Sequence, residues 1–255
     1  MSKIIAIVNQ KGGVGKTTTS VNLAASLGIL EKKVLLIDLD PQSNATSWMG
    51  FQDYNGVGIY EVIEGRSSGK KAILKTQTIN VYLIPSSINL VAFEVETISI
   101  QKREFLLKKA LTEVTEGFDY ILIDCSPSLG LLTINALTAS EAIIIPVQCE
   151  YYALEGLGKL LNTIKIVQKL YNPEIDIYGL LLTMYDSRLR LSNQVAEELN
   201  KHFKELVFNT IIYRNTKLSE ASSYSQNILQ FDINSKGADD YIELAKEFLI
   251  RNQER

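Results

Sequence analysis

Nine consecutive residues near the start of the chain, Gln10–Thr18 (QKGGVGKTT), bring together three glycines, two lysines and two threonines. That set is suited to holding phosphate. Glycines let a backbone turn tightly and approach a phosphate closely. A helix beginning just after them offers unpaired N–H groups and the positive end of its dipole. Lys16 is placed to reach the β- and γ-phosphates of a nucleotide, and the Thr17 hydroxyl to hold Mg²⁺. Gly12, Gly13, Val14, Gly15 and Thr18 would complete the cradle. The spacing departs from G-x-x-x-x-G-K-[ST], which needs glycine where this chain has Gln10. In its place an additional lysine, Lys11, precedes the paired glycines. Lys11 starts on the far side of the loop from Lys16, so it either projects away from its own phosphates or is a solvated turn residue.

Two acidic segments supply what the loop lacks. Val34–Asp40 (VLLIDLD) ends with Asp38 and Asp40, and Phe118–Asp124 (FDYILID) ends with Asp124. Singly, each aspartate reads as a turn or capping residue. In an open α/β sheet, however, strand C-termini border the ligand crevice, so these carboxylates should converge on Mg²⁺ and the γ-phosphate. Asp124 suits contact with Mg²⁺ through water. Cys125, Ser126 and Pro127 follow it, with no glutamate among them. The carboxylate that orients an attacking water must then come from elsewhere, and Asp40 is the best placed.

The elements that must position these groups follow from hydrophobic periodicity. Lys3–Asn9, Val34–Asp38, Val81–Pro85, Phe118–Asp124, Ala142–Val147 and Tyr178–Thr183 read as strands. Several are apolar at nearly every residue, as strands buried on both faces of a parallel sheet are. Lys16–Leu30, Gln101–Thr115, Leu131–Ala139, Leu154–Leu170, Asn193–Phe203 and Ala238–Arg251 read as helices. The alternation predicts an α/β fold with a mostly parallel twisted sheet flanked by helices on both faces, as a single domain over residues 1–255. Gly50–Lys70, with five glycines, reads as a surface excursion.

Composition narrows the function classes. A net charge of −3 does not suggest a strongly basic nucleic-acid module, so any DNA binding needs a local patch or an oligomer that pools charge. Cys125 and Cys149, the two cysteines, cannot form a disulfide framework and fit a reducing, cytoplasmic compartment. The apolar stretch Ile4–Val8 is shorter than a signal-peptide core, so secretion is not expected. No apolar run approaches the roughly 18 residues of a membrane span. His202 is the single histidine and reads as a surface residue.

KGGVGKTT, with a lysine ahead of its glycines, resembles the deviant Walker A motif of the ParA/MinD ATPase family. LLIDLDPQSNAT, DYILIDCSPSLGLLTINALTAS, PVQCEYYALEGL and RNTKLSEA resemble its ParA/Soj branch, over roughly residues 3 to 221. The resemblance implies a P-loop NTPase-like fold and an ATP- and Mg²⁺-dependent homodimer that sandwiches two nucleotides. Lys11 would cross that interface to the partner's phosphates, and Gly12 would lie at it. Asp40 would position the attacking water, Asp124 would be the Walker B aspartate, and Asn215 would read adenine. Tyr213 stands where the family usually has proline.

The resemblance further implies non-specific binding of double-stranded DNA by the dimer, with hydrolysis stimulated by a ParB-like protein, as a nucleoid-associated partitioning ATPase. Arg188 and Lys217 match the family's DNA-contacting segments, and Arg190 is added from its place in SRLRL. Charge alone does not mark this patch: Tyr185–Glu220 holds six Lys/Arg against five Asp/Glu. Where the family continues LSEA with a lysine-bearing turn, this chain has Ser222–Asn227 without one. The alternative branch, resembling MinD, associates with membranes through a basic amphipathic tail. Here Tyr241, Leu244, Ala245, Phe248 and Leu249 form an apolar stripe, but Asp239–Arg255 carries five acidic and three basic residues. That balance suits an anionic bilayer poorly, so no membrane partner is expected.

Overall fold

In the computed structural model, which describes residues 2–253, the aliphatic runs become neighbours in one sheet. Its strands are β1 (Lys3–Ile7), β2 (Val34–Leu39), β3 (Leu74–Lys75), β4 (Val81–Ile84), β5 (Tyr120–Cys125), β6 (Ala142–Gln148) and β7 (Asp176–Thr183). They lie in the order β3-β4-β2-β5-β1-β6-β7. All pairings are parallel except that of the short edge strand β3 with β4.

Side chains alternate between two cores. Ile4, Ala6, Leu35, Ile37, Ile121 and Ile123 face one, with the helices Leu131–Ala139 and Ala153–Leu170 packed over them. Ile5, Ile7, Val34, Leu36 and Leu122 face the other, beneath the helices Lys16–Ile29 and Lys236–Gln253. Both faces are covered, so the strands are hydrophobic throughout. The expected fold class is borne out. The apolar stripe of the last helix belongs to the second core: Tyr241, Leu244, Ala245 and Phe248 are buried and Leu249 packs against them.

Strand register sets the site. β2 pairs with β5 so that Asp38 lies beside Asp124, and β1 pairs with β5 so that Ile7 lies beside Asp124. The chain leaving β1 therefore enters the phosphate loop next to both carboxylates.

Local expectations fail where the period was misread. Gln101–Thr115 is not one helix: Lys102 takes a left-handed conformation, a 3₁₀ turn follows at Arg103–Phe105, and the helix covers only Leu106–Leu111. Gly50–Lys70 is more than a surface excursion, because it contains the short helix Ile59–Ile63, whose Ile59, Tyr60, Val62 and Ile63 are buried. Burial of its apolar side chains outweighs the glycine content around it. The short helices Asn44–Trp48 and Thr216–Ser223 carry too few turns for a periodic signal, and no helix was expected there.

Both cysteines are core residues. Burial pushes the Cys149 thiol up to about 12 and that of Cys125 well above its ordinary value. The thiolate is the reactive form, so neither cysteine should react with a thiol-specific reagent at pH 8 until the protein is unfolded in urea. A native thiol titrating within minutes would contradict this packing.

Candidate functional site

The loop is built by local backbone chemistry. Asn9 opens it: its amide Nδ2 donates to the Pro146 carbonyl at 2.7 Å and its Oδ1 accepts from the Lys11 N–H at 3.0 Å. Gly13 and Gly15 both adopt positive φ, 74° and 87°, a conformation that disfavours any residue with a Cβ. Gly15 also begins the helix Lys16–Ile29. Gly12 differs, since a Cβ there would meet nothing within 4 Å. Among the described residues, none comes close enough to require glycine at position 12.

The two lysines point to different places. Lys16 is buried, and its ammonium donates to the Lys11 carbonyl oxygen at 2.9 Å, inside the loop. Burial lowers its pKa, against the opposing pull of Asp124 and Asp40. The Lys11 side chain instead leaves the loop and pairs with Glu150 Oε2 at 2.8 Å, just beyond β6. Gln10 Nε2 donates to the Gly156 carbonyl at 3.1 Å, tying the loop to the helix Ala153–Leu170.

Below the loop Asp38 and Asp124 lie side by side at the ends of β2 and β5. Asp124 accepts from Thr17 Oγ1 and Ser20 Oγ, both at 2.8 Å. Burial pushes Asp124 up to about 6, with the hydrogen bonds from Ser20 and Thr17 and the charge of Lys16 holding it back. Asp38, fully buried beside it, is pushed up to about 7 by burial and then by the charge of Asp124. Asp40 is 6% exposed, and its Oδ1 accepts from the Gln42 N–H at 3.0 Å. Sequence reasoning singled out Asp38 but gave it no partners; Ser20, one helical turn beyond Lys16, it missed. The i, i+4 spacing of Lys16 and Ser20 was the available signal.

A cavity of about 310 Å³ lies beside the loop, lined by residues that include Gly15, Thr18, Trp48, Tyr213 and Asn215. Asn215 therefore falls where a base could sit next to the phosphates. Its Oδ1 caps the helix Thr216–Ser223 by accepting from the Lys217 N–H at 2.9 Å, so the carbonyl end of its amide is already committed. Tyr213 packs edge-on against Tyr185 at 5.6 Å, and the Lys236 ammonium lies 5.1 Å from its ring centre. Thr17 Oγ1 and Asp124 Oδ2, 2.8 Å apart, are hard oxygen donors, which fits Mg²⁺ retaining several waters.

Of the three candidate DNA residues, two are already paired. Arg188 grips Asp186 through two hydrogen bonds, Nε–Oδ1 at 2.9 Å and Nη2–Oδ2 at 2.7 Å. That grip holds the Asp186 carboxyl down to about 2. Lys217 pairs with Glu220 at 2.7 Å, and its ammonium also lies 5.7 Å from the Phe231 ring centre. Arg190 is the first residue of the helix Arg190–Phe203. Among the described residues, no helix is long and apolar enough to cross a membrane.

A glycine loop running from a parallel strand into a buried helix, with a lysine inside it and aspartates at adjacent strand ends, defines a phosphate-loop nucleotide-binding protein. Residues 2–177 match a family model described as an AAA domain. The chain is 52% identical to the sporulation initiation inhibitor protein Soj of Bacillus subtilis, over 97% of this chain and 98% of that protein. It is 46% identical to the chromosome partitioning protein ParA of Myxococcus xanthus, over 99% and 89%. A solved structure of cobyrinic acid a,c-diamide synthase from Mycobacterium smegmatis, with bound ADP and magnesium, matches with a TM-score of 0.87 at 37% identity, covering 99% of this chain and 96% of that one. The chain belongs to the Soj/ParA family of chromosome-partitioning ATPases.

The Lys11–Glu150 pair is partly solvated on both sides, with side chains 38% and 47% exposed. Such pairs contribute about 0–1 kcal/mol. Glu150→Gln should therefore shift the urea unfolding free energy by less than about 1 kcal/mol. A larger loss would mean that the pair anchors the loop.

Proposed function

We propose that this chain is one ATPase domain that uses ATP–Mg²⁺ to form a homodimer, that the dimer binds double-stranded DNA without sequence preference, and that hydrolysis releases it. The observation that carries the reading is the divergence of the two loop lysines: Lys16 turned into the loop and Lys11 turned out of it. An inward ammonium serves the phosphates of its own site. An outward one serves a site supplied by a second copy, and Gly12, unconstrained within its own chain, leaves room for that copy to approach. A cation reaching in from a partner stabilises the spread negative charge of phosphoryl transfer, worth on the order of 10³–10⁵ in rate. The weak Lys11–Glu150 pair is readily exchanged for it.

In this reading the backbone of Gly12–Thr18 and Lys16 cradle the phosphates, and Asn215 offers its remaining amide donors to the base. Thr17 and Asp124 hold Mg²⁺, Asp124 through water. Held there, Mg²⁺ would supply positive charge to offset that of the phosphates. Asp40 accepts a hydrogen bond from the attacking water and so aims its oxygen at the γ-phosphorus. Arg188, Arg190 and Lys217 neutralise DNA phosphates, Arg188 and Lys217 after releasing Asp186 and Glu220. A ParB-like protein accelerates turnover, and the protein works in the cytoplasm on the nucleoid. The Soj and ParA relatives support the partitioning context.

Asp40→Ala should retain ATP and dimerise without hydrolysing. Its anisotropy titration against a random-sequence duplex should show binding with ATP–Mg²⁺ and none with ADP or without nucleotide, falling steeply with salt as counterions are released. ATP-dependent dimers that bind no DNA in any state would overturn the DNA reading. Arg188→Glu should weaken that binding while sparing dimerisation. Lys16→Ala should abolish ATP-driven dimers in sedimentation.

A further inference from the structure

Asp40 is held by a closed ring of hydrogen bonds drawn from three separate segments. Its N–H donates to Asp38 Oδ1 at 3.1 Å. The other oxygen of Asp38, Oδ2, accepts from both the N–H and the hydroxyl of Thr46, each at 2.7 Å. Thr46 Oγ1 in turn accepts from the Ser86 N–H at 2.9 Å. The Ser86 hydroxyl then donates to the carbonyl oxygen of Asp40 at 2.6 Å, closing the circuit. Asp38 and Asp40 sit at the end of β2, Thr46 in the short helix after it, and Ser86 just beyond β4. All four residues are buried.

We propose that Thr46 and Ser86 are positioning residues for hydrolysis, holding Asp40 in the orientation from which it directs the attacking water. The inference rests on the assignment of Asp40 above and deepens it. Both backbone polar groups of Asp40 are engaged, one by Asp38 and the other by Ser86 and the Ser43 N–H, which lies at 2.9 Å. Pro41 follows directly and restricts the chain leaving Asp40. With the backbone pinned and Oδ1 anchored to the Gln42 N–H, the free carboxylate oxygen has one direction left to face. Neither Thr46 nor Ser86 lines the base cavity or the glycine loop, so their effect should fall on turnover rather than on ATP affinity. Because the Ser43 N–H still satisfies the Asp40 carbonyl, loss of the Ser86 hydroxyl should loosen this arrangement without unfolding it.

The test uses four variants of the full chain: Ser86→Ala and Thr46→Val, which lose the hydroxyl, and Ser86→Thr and Thr46→Ser, which keep it. Steady-state ATPase and the affinity for a fluorescent ATP analogue are measured for each, with the thermal midpoint as a check on folding. Misplacing a catalytic group by about 1 Å costs up to about 100-fold in rate. Ser86→Ala and Thr46→Val should therefore lose about 10- to 100-fold in kcat with KM and analogue affinity unchanged, and the hydroxyl-retaining variants should recover most of it. In an Asp40→Ala background, Ser86→Ala should add no further loss. Unchanged kcat in Ser86→Ala, an equal fall in the hydroxyl-retaining variants, or a fall in affinity with kcat intact would each overturn the proposal. Asp40→Ala alone separates the two levels: normal hydrolysis there refutes the role of Asp40, whereas failure of the Ser86 and Thr46 series with Asp40→Ala inactive refutes only the ring.

Discussion

Two carboxylates, Asp38 and Asp124, lie side by side at the ends of the adjacent strands β2 and β5, both fully buried. Removing a carboxylate from water costs several kcal/mol unless it is paired and hydrogen-bonded. The surrounding structure is arranged to meet that demand. The helix Lys16–Ile29 directs Thr17 and Ser20 at Asp124, and the charge of Lys16 favours its ionised form. On the other side Thr46 and the Asp40 N–H bind Asp38. The same bonds that satisfy the pair thus fix the first turn of the phosphate helix and the backbone of Asp40. The contacts that satisfy the buried pair and those that place the Asp40 backbone are one set here.

Stiffness is graded across the site. Its floor is buried and densely hydrogen-bonded. Its rim is not: Lys11 holds Glu150, Arg188 holds Asp186 and Lys217 holds Glu220 through pairs at the surface. Exposed ion pairs are weak and screened by salt. They keep long side chains ordered at little cost to a later exchange of partner. The groups proposed to act within the chain sit in the floor, and the cations proposed to act on a second copy or on DNA sit at the rim. A net charge of −3 supplies no bulk positive field, so the proposed DNA binding would rest on these local cations.

The fold alone would not decide the reaction. A protein named for diamide synthesis shares it at a TM-score of 0.87, as do proteins named for chromosome partitioning by their sequences. One sheet with a phosphate loop supports different uses of a nucleotide, and the distinction lies in side chains grafted onto it. In this chain Lys11 is aimed away from its own loop, with Gly12 open beside it.

The sequence by itself determined the alternation of strands and helices, the glycine loop with its two lysines, and the three aspartates at strand ends. Those features are local: apolar period, glycine at positive φ and residue spacing can be read within a few positions. It misread Gln101–Thr115 as one helix and Gly50–Lys70 as surface, because a left-handed Lys102 and the burial of Ile59–Ile63 depend on neighbours far along the chain. Only the tertiary structure decided that Asp38 lies against Asp124, which follows from strand order rather than from either segment. It alone brought Ser86 to the carbonyl of Asp40, across 46 positions of sequence. Hydrogen bonds between distant segments leave no periodic trace, since a lone serine or threonine is equally at home on a surface. Their partners exist only once the sheet has set which strands are neighbours.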